Sequence, residues 1–253
     1  MRVLHGPMAT VLATRLRQEL REAANHEHPD DFRRHKAHLV FEAVDHIAHS
    51  LPVVDLARSV LGDDVLLWDS SVPIAGQGTP CPGGRHRETS VEARGGVPPA
   101  VTVRVVLAST SGEATTIGYL PGSHRAGPAR RAPGTASDGT ASGDAPPDLV
   151  DHADAVWVEL APGQAVAHHP WLVIGDDPAR VDPDRLGAVC VYVPDTATTI
   201  GRQDSAQVVS GQAMRSRFRV EPRLDHSLSS TARAAHRQAL HHLSDRIVPD
   251  DGR

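Results

Sequence analysis

The apolar residues of this chain follow two different periods along its length. Up to about residue 62 they recur every three or four positions, the spacing that places them on one face of a helix. We predict three helices there, which cover residues 8–24, 37–50 and 52–61. In the first helix, Val11, Leu12 and Leu16 are expected to face the protein interior. A last helix is predicted over about residues 230–247, after Ser and Thr residues that favour a helix start.

Between these helical parts, over about residues 64–220, the pattern is that of short strands. Runs rich in Val, Leu and Ile are separated by Gly, Pro and Asp, and no helical run interrupts them. The runs cover residues 64–74, 100–110, 116–120, 154–160, 163–173 and 185–194. We therefore predict a mainly β protein with flanking α-helices, whose strands form a sandwich or a barrel. Residues 125–148 are rich in Gly, Ala, Pro and Ser and predict a mobile loop.

Composition and charge narrow the class of protein. A net charge of −5 over 253 residues argues against nucleic-acid binding, which usually needs a basic face. The chain has neither a long apolar run nor a signal-peptide core, so we expect one cytoplasmic domain without a membrane segment. Cys81 and Cys190 lie far apart in the chain, and we expect both to be reduced.

One short motif could bind a metal ion. In a β-strand alternate side chains share a face, so His86 and Glu88 can both point at the same ion. Together with a distant second histidine, such a pair forms the three-ligand site of non-heme iron enzymes. The chain has 16 histidines, however, so the pair could also arise by chance and lie on the surface.

Further segments match the motifs of one enzyme family. The family patterns KPHLLF, LGPDIL and PGSH have counterparts at residues 36–41, 61–66 and 121–124. A late family block, which begins LAPGQ and ends YIP, has its counterpart at residues 160–194. On these motifs the chain resembles the phytanoyl-CoA dioxygenase family of Fe(II)/2-oxoglutarate oxygenases, and most of all its chlorinating branch. The resemblance covers about residues 30–210. It implies a double-stranded β-helix, a jelly-roll barrel with iron at its mouth.

The resemblance also assigns site residues. His86 and Glu88 take the places of the proximal iron ligands, with glutamate where the family has aspartate. The distal histidine ligand maps to Ile174, whose side chain cannot bind a metal. Arg185 matches the arginine that pairs with the distal carboxylate of 2-oxoglutarate.

Other pocket positions depart from the family pattern. A serine that helps to bind 2-oxoglutarate maps to Asp176, a lysine maps to Ala75, and a barrel tryptophan maps to Arg104. The resemblance thus implies Fe(II) and 2-oxoglutarate as cofactors, whereas these changes argue against an intact site for either. His168 and His169 are the nearest substitutes for the missing ligand. Active relatives also carry this histidine pair, which favours a structural role.

Three functions stay open on this basis. The first is an oxygenase with an altered ligand set, which would modify a small molecule in specialised metabolism. The second is a metal-independent acid–base or cyclisation enzyme, in which His86, Glu88 and Arg104 would be the catalytic residues. The third is a non-catalytic subunit that binds a metabolite or an active paralogue. The small molecule could be free or carrier-bound, and the sequence is compatible with a homo-oligomer.

Overall fold

The structure is a computed structural model of the chain. It describes residues 4, 6–73, 85–86, 100–109, 114–126, 149, 152–176, 182, 185–197 and 203–244. For residues 85, 86, 126, 176, 243 and 244 it describes the backbone alone. Most of the predicted loop over residues 125–148 lies outside the described residues, as do Ala75, Cys81 and Glu88.

The helices lie before and after the strands, as the hydrophobic period predicts. They are α1 (Gly6–Ala23), α2 (Pro29–Arg34), α3 (Glu42–His49), α4 (Leu51–Leu61) and α5 (Ser230–Ser244). In α1, Leu12 and Leu16 are buried, but Val11 is 61% exposed, so its predicted inward position is wrong. The buried face instead follows Ala9, Leu12, Leu16 and Ala23, and Val11 lies outside that stripe. None of the described helices has the length and hydropathy of a membrane-spanning segment.

The helix predicted over residues 37–50 is interrupted. A single 3-10 turn covers Ala37–Leu39, and the backbone of Phe41 is extended, so that α3 begins only at Glu42. The carboxylate of Glu19 accepts hydrogen bonds from the backbone N–H groups of Glu42 and Ala43, at 3.0 and 3.3 Å. These N–H groups have no acceptor within their own helix, so a side chain of α1 caps α3. Burial raises the pKa of Glu19.

The strands form two sheets that face each other. They are β1 (Val65–Ser71), β2 (Arg85–His86), β3 (Val101–Ala108), β4 (Thr115–Leu120), β5 (Val156–Leu160), β6 (Ala165–His168), β7 (Val173–Asp176), β8 (Leu186–Pro194), β9 (Ser205–Ser210) and β10 (Arg219–Val220). The larger sheet has the order β10-β9-β1-β8-β3-β6, and the smaller sheet has the order β2-β7-β4-β5. Apart from the parallel β9–β10 pair, neighbouring strands are antiparallel. The predicted mainly β architecture with flanking helices is confirmed.

Strand β3 shows how the sheet separates two cores. Val103, Val105 and Leu107 pack in the cluster that contains the buried faces of the N-terminal helices. Val106 points the other way and packs against Ile117 of β4 and other residues of the smaller sheet. Because side chains alternate along a strand, the polar residues of β3 that share the face of Val106 lie inside the barrel.

Candidate functional site

The smaller sheet places the predicted proximal ligand position, residue 86, next to the predicted distal ligand position, residue 174. Strand β2 pairs with β7 so that residue 86 lies opposite Ile174. On the other side of β7, Tyr119 of β4 also lies opposite Ile174. Residues directly opposite each other in an antiparallel pair are close neighbours in the sheet. Position 174 is therefore adjacent in the sheet to the position of the predicted proximal histidine, although 88 residues separate them in the chain.

The side chain at position 174 is a hydrocarbon that packs against other apolar side chains. Ile174 is 1% exposed and packs with Val106, Ile117 and Leu160. It has no lone pair to offer a metal, so the residue directly opposite position 86 on β7 is not a ligand. Within the described ranges, no three His, Cys, Asp or Glu side chains are grouped so that they could hold a metal ion. The described residues thus do not fit an iron centre with a distal histidine, while the roles of His86 and Glu88 stay predictions.

Two arginines of the predicted site are buried. Arg104 lies on β3 opposite Val166 and Val189, is 5% exposed, and shares the inner face with Val106. Arg185 directly precedes β8 and donates its backbone N–H to the carbonyl of Asp182 at 3.2 Å. Arg185 is four residues before Val189, which corresponds to roughly 13 Å of strand. The backbones of the two arginines therefore lie at different levels of the larger sheet, and both side chains carry a permanent positive charge.

His168 lies in the same sheet as Arg104, on the neighbouring strand β6, and has a defined tautomer. It lies on β6 opposite Thr102, and its ring centroid is 5.2 Å from that of Tyr119. Its Nδ1 is 3.0 Å from the carbonyl oxygen of His169. A carbonyl can only accept a hydrogen bond, so Nδ1 carries the hydrogen and Nε2 is the basic atom of the neutral ring.

Strand order argues against His168 as a substitute for the distal ligand. The ring of His168 contacts Tyr119 on β4, and β7 lies between β4 and β2 in the smaller sheet. Ile174 therefore separates this contact from residue 86. His169 differs from His168, since its Nδ1 accepts the backbone N–H of Trp171 at 3.0 Å. This contact supports the structural role predicted for His169.

The PGSH segment positions the start of β7. Ser123 Oγ accepts the backbone N–H of Val173 at 2.8 Å, and Gly122 adopts a positive φ of 81° in the turn before it. The ring of His124 lies 5.0 Å from that of His169. The turn after β4 is thereby tied to the residue that precedes Ile174. The motif thus has a positioning role beside the candidate site.

Sequence reasoning missed two polar residues inside the barrel. Thr102 is fully buried, and its hydroxyl has no hydrogen-bond partner among the described residues. Tyr119 is 5% exposed and packs with Ile117 and Ile174. The alternation of side chains along β3 and β4 could have identified them, because it places Thr102 on the same face as Arg104 and Tyr119 on the same face as Ile117.

A second polar cluster lies outside the barrel, between the N-terminal helices and the sheet edge. Glu221 accepts hydrogen bonds from Lys36 Nζ at 2.8 Å and from His38 Nε2 at 3.0 Å. His38 Nδ1 is 2.7 Å from Ser70 Oγ. This serine–histidine–glutamate chain has the order of a hydrolase triad. Lys36 and His38 are fully buried and Ser70 and Glu221 are nearly so, which keeps a substrate out and indicates a structural role.

Comparison with known proteins identifies the family. The family model of phytanoyl-CoA dioxygenase (PhyH) matches residues 9–175. The chain belongs to the phytanoyl-CoA dioxygenase family. The resemblance expected from the motifs is therefore confirmed, and with it membership of the non-heme Fe(II)/2-oxoglutarate oxygenase superfamily. Among curated proteins, no sequence matches this chain.

Solved structures show the same fold. The non-heme monooxygenase ThoJ in its apo form has a TM-score of 0.77 and 24% identity, over 97% of this chain and 92% of that chain. CytC3 with Fe(II) and α-ketoglutarate has a TM-score of 0.57 and 16% identity, over 90% of both chains. EctD from S. alaskensis, with 2-oxoglutarate and 5-hydroxyectoine, has a TM-score of 0.55 and 19% identity, over 78% and 71%. At these identities the likeness shows the fold, and the predicted double-stranded β-helix is confirmed.

Proposed function

We propose that this chain is a diverged oxygenase of specialised metabolism that acts on a small molecule inside its barrel, with altered or lost iron chemistry. The observation that supports the proposal is the buried Ile174 in register with residue 86. A hydrocarbon at this position removes the third protein ligand. A site of two ligands binds Fe(II) more weakly, because each ligand adds to the binding free energy.

The lining of the barrel supports small-molecule binding. Arg104, Thr102 and His168 are buried polar residues among apolar neighbours such as Val106 and Val166. Arg104 can orient an anionic group, and Thr102 can donate or accept one hydrogen bond. A few polar groups in an apolar concave wall are typical of sites for small ligands. The ligand could be free or attached to a carrier.

A second candidate function is metal-independent acid–base catalysis. The observation that favours it is the tautomer of His168, whose Nδ1–H is held by a backbone carbonyl at 3.0 Å. Nε2 is then the atom that can accept a proton from a bound molecule and return it. The positive charge of Arg104, two residues from the register partner of His168, would stabilise negative charge that develops during such a transfer.

The first experiment measures Fe(II) binding by equilibrium dialysis under anaerobic conditions. We expect weak binding by the wild type and at least roughly tenfold tighter binding by Ile174→His, because an imidazole would restore the third ligand. Ile117→His is the matched control: Ile117 is buried in the same apolar cluster but lies opposite Asp176 rather than residue 86. One tightly bound iron per wild-type chain would contradict the proposal.

The second experiment separates the two candidate functions. Labelled 2-oxoglutarate is incubated aerobically with Fe(II), and succinate is measured with and without a chelator. Succinate that disappears with the chelator indicates retained oxygenase chemistry, and Arg185→Ala should then abolish 2-oxoglutarate binding in calorimetry. Conversion of the small-molecule substrate itself, rather than of 2-oxoglutarate, is then followed with the chelator present. Conversion that persists with the chelator but is lost in His168→Gln indicates acid–base catalysis.

A further inference from the structure

The edge of the larger sheet carries an unusual exposed surface. We call Met214, Arg215, Arg217, Arg219 and Val220 the arginine edge. Met214 is 83% exposed and Val220 is 76% exposed, and these are the two most exposed large apolar side chains in the described part of the chain. All three arginines are exposed as well. Arginine and methionine are enriched in protein interfaces, so this combination is typical of a docking surface.

Three acidic residues near the arginine edge are buried and already have partners. Asp204 accepts a hydrogen bond from Trp68 Nε1 at 2.7 Å, and Glu221 is held by Lys36. The buried Asp195 pairs with Arg215 at 3.3 Å. Among the described residues, no carboxylate pairs with Arg217 or Arg219. The side chain of Arg219 instead contacts Gln203 Oε1 at 3.4 Å and His242 Nε2 at 3.5 Å. Arg217 and Arg219 therefore leave positive charge at this surface that no described carboxylate neutralises.

On one side, no described strand pairs with the backbone of β10. β10 is the last described strand of the sheet, and the N–H groups of Arg219 and Glu221 bond to the carbonyls of Asp204 and Ala206 at 2.9 and 3.0 Å. Successive residues of a strand direct their N–H groups to opposite edges, so Val220 directs its N–H and C=O away from β9. Pro222 follows and has no N–H, which limits the open edge to a short stretch.

We propose that the arginine edge docks an acidic, extended segment of a partner protein. The segment would pair with the backbone of Val220 as an added strand. Its carboxylates would face Arg217 and Arg219, and its apolar side chains would cover Met214 and Val220. A nucleic acid fits less well, since the basic surface is small and apolar residues flank it. This interaction is independent of the chemistry inside the barrel.

The test uses the full chain and fluorescence anisotropy with a labelled peptide of alternating Glu and Val. We expect saturable binding, weakened by salt, and at least roughly tenfold weaker binding by the double variant Arg217→Glu/Arg219→Glu. The matched control is Arg17→Glu/Arg21→Glu on the exposed face of α1, which changes the net charge equally and should alter affinity less than about twofold. A Glu–Pro peptide of the same charge, which cannot add as a strand, should bind more weakly than the Glu–Val peptide.

Several results would overturn the proposal. These are no binding of the Glu–Val peptide, equal binding of the Glu–Pro peptide, or an equal loss in both double variants. A change in oligomeric state caused by Arg217→Glu/Arg219→Glu would identify a second copy of the chain as the occupant. Peptide binding that occurs only in Asp250→Asn/Asp251→Asn would identify the C-terminal segment of the chain itself.

Discussion

Replacement of Lys36 by methionine tests the buried cluster at the sheet edge. Lys36 is fully buried, and its Nζ donates to the carboxylate of Glu221 at 2.8 Å and to the carbonyls of Trp68 and Ser205. Methionine retains most of the apolar stem but removes the charge. The carboxylate of Glu221 would then remain buried without its cation, which is the costly way to disrupt an ion pair.

The pKa of Glu221 sets the expected magnitude. Burial alone would raise this pKa, but Lys36 and His38 outweigh burial and lower it from the usual 4.5 to about 2. That difference corresponds to about 3 kcal/mol of stabilisation of the charged form. We therefore expect Lys36→Met to lower the free energy of unfolding by about 3–5 kcal/mol at neutral pH.

The pH dependence gives a second prediction from the same variant. A carboxyl group whose pKa is lowered in the folded state stabilises the fold above about pH 4.5, and this contribution is lost as the pH falls toward 2. The difference in free energy of unfolding between the wild type and Lys36→Met should therefore become smaller in acid. The free energy of unfolding of each protein is measured at neutral pH and at about pH 4, by urea unfolding monitored with circular dichroism.

A double variant separates charge from packing. Lys36→Met/Glu221→Gln removes both charges, and the amide can still bond to His38. We expect the double variant to recover most of the lost stability. A loss below about 1 kcal/mol in Lys36→Met, or no recovery in the double variant, would refute the ion-pair reasoning.

Two further substitutions test backbone contacts. Gly187→Ala should lower the melting temperature clearly, since an added Cβ would lie 2.2 Å from the backbone oxygen of Val105. Gly6→Ala is the control: its added Cβ meets nothing within 4 Å, so the melting temperature should not change. A normal melting temperature for Gly187→Ala would contradict this close approach of β8 to β3. Ser123→Ala should cost about 1 kcal/mol in urea unfolding, because the N–H of Val173 loses its acceptor. An unchanged free energy would mean that water replaces the hydroxyl.

Local pattern was sufficient for the long elements and failed for the short ones. α1 and β3 bury one face or both over many residues, so their periods are visible. α2 has six residues, of which Phe32 and Arg33 are buried, and this is too few to show a period. β9 was not predicted because its buried residues include Ser205 and Gln207, which belong to polar contacts with distant segments.

The candidate site divides in the same way. Residue identity alone shows that Ile174 cannot bind a metal, and the motifs alone indicate the barrel and its family. The register of β2 with β7, the basic Nε2 of His168 and the partner of Lys36 became known only from the fold. The register and the partner of Lys36 join residues that are distant along the chain. The tautomer of His168 depends on which groups the folded chain brings into contact with its ring. Such pairings are decided by sheet register and packing, which no local period encodes.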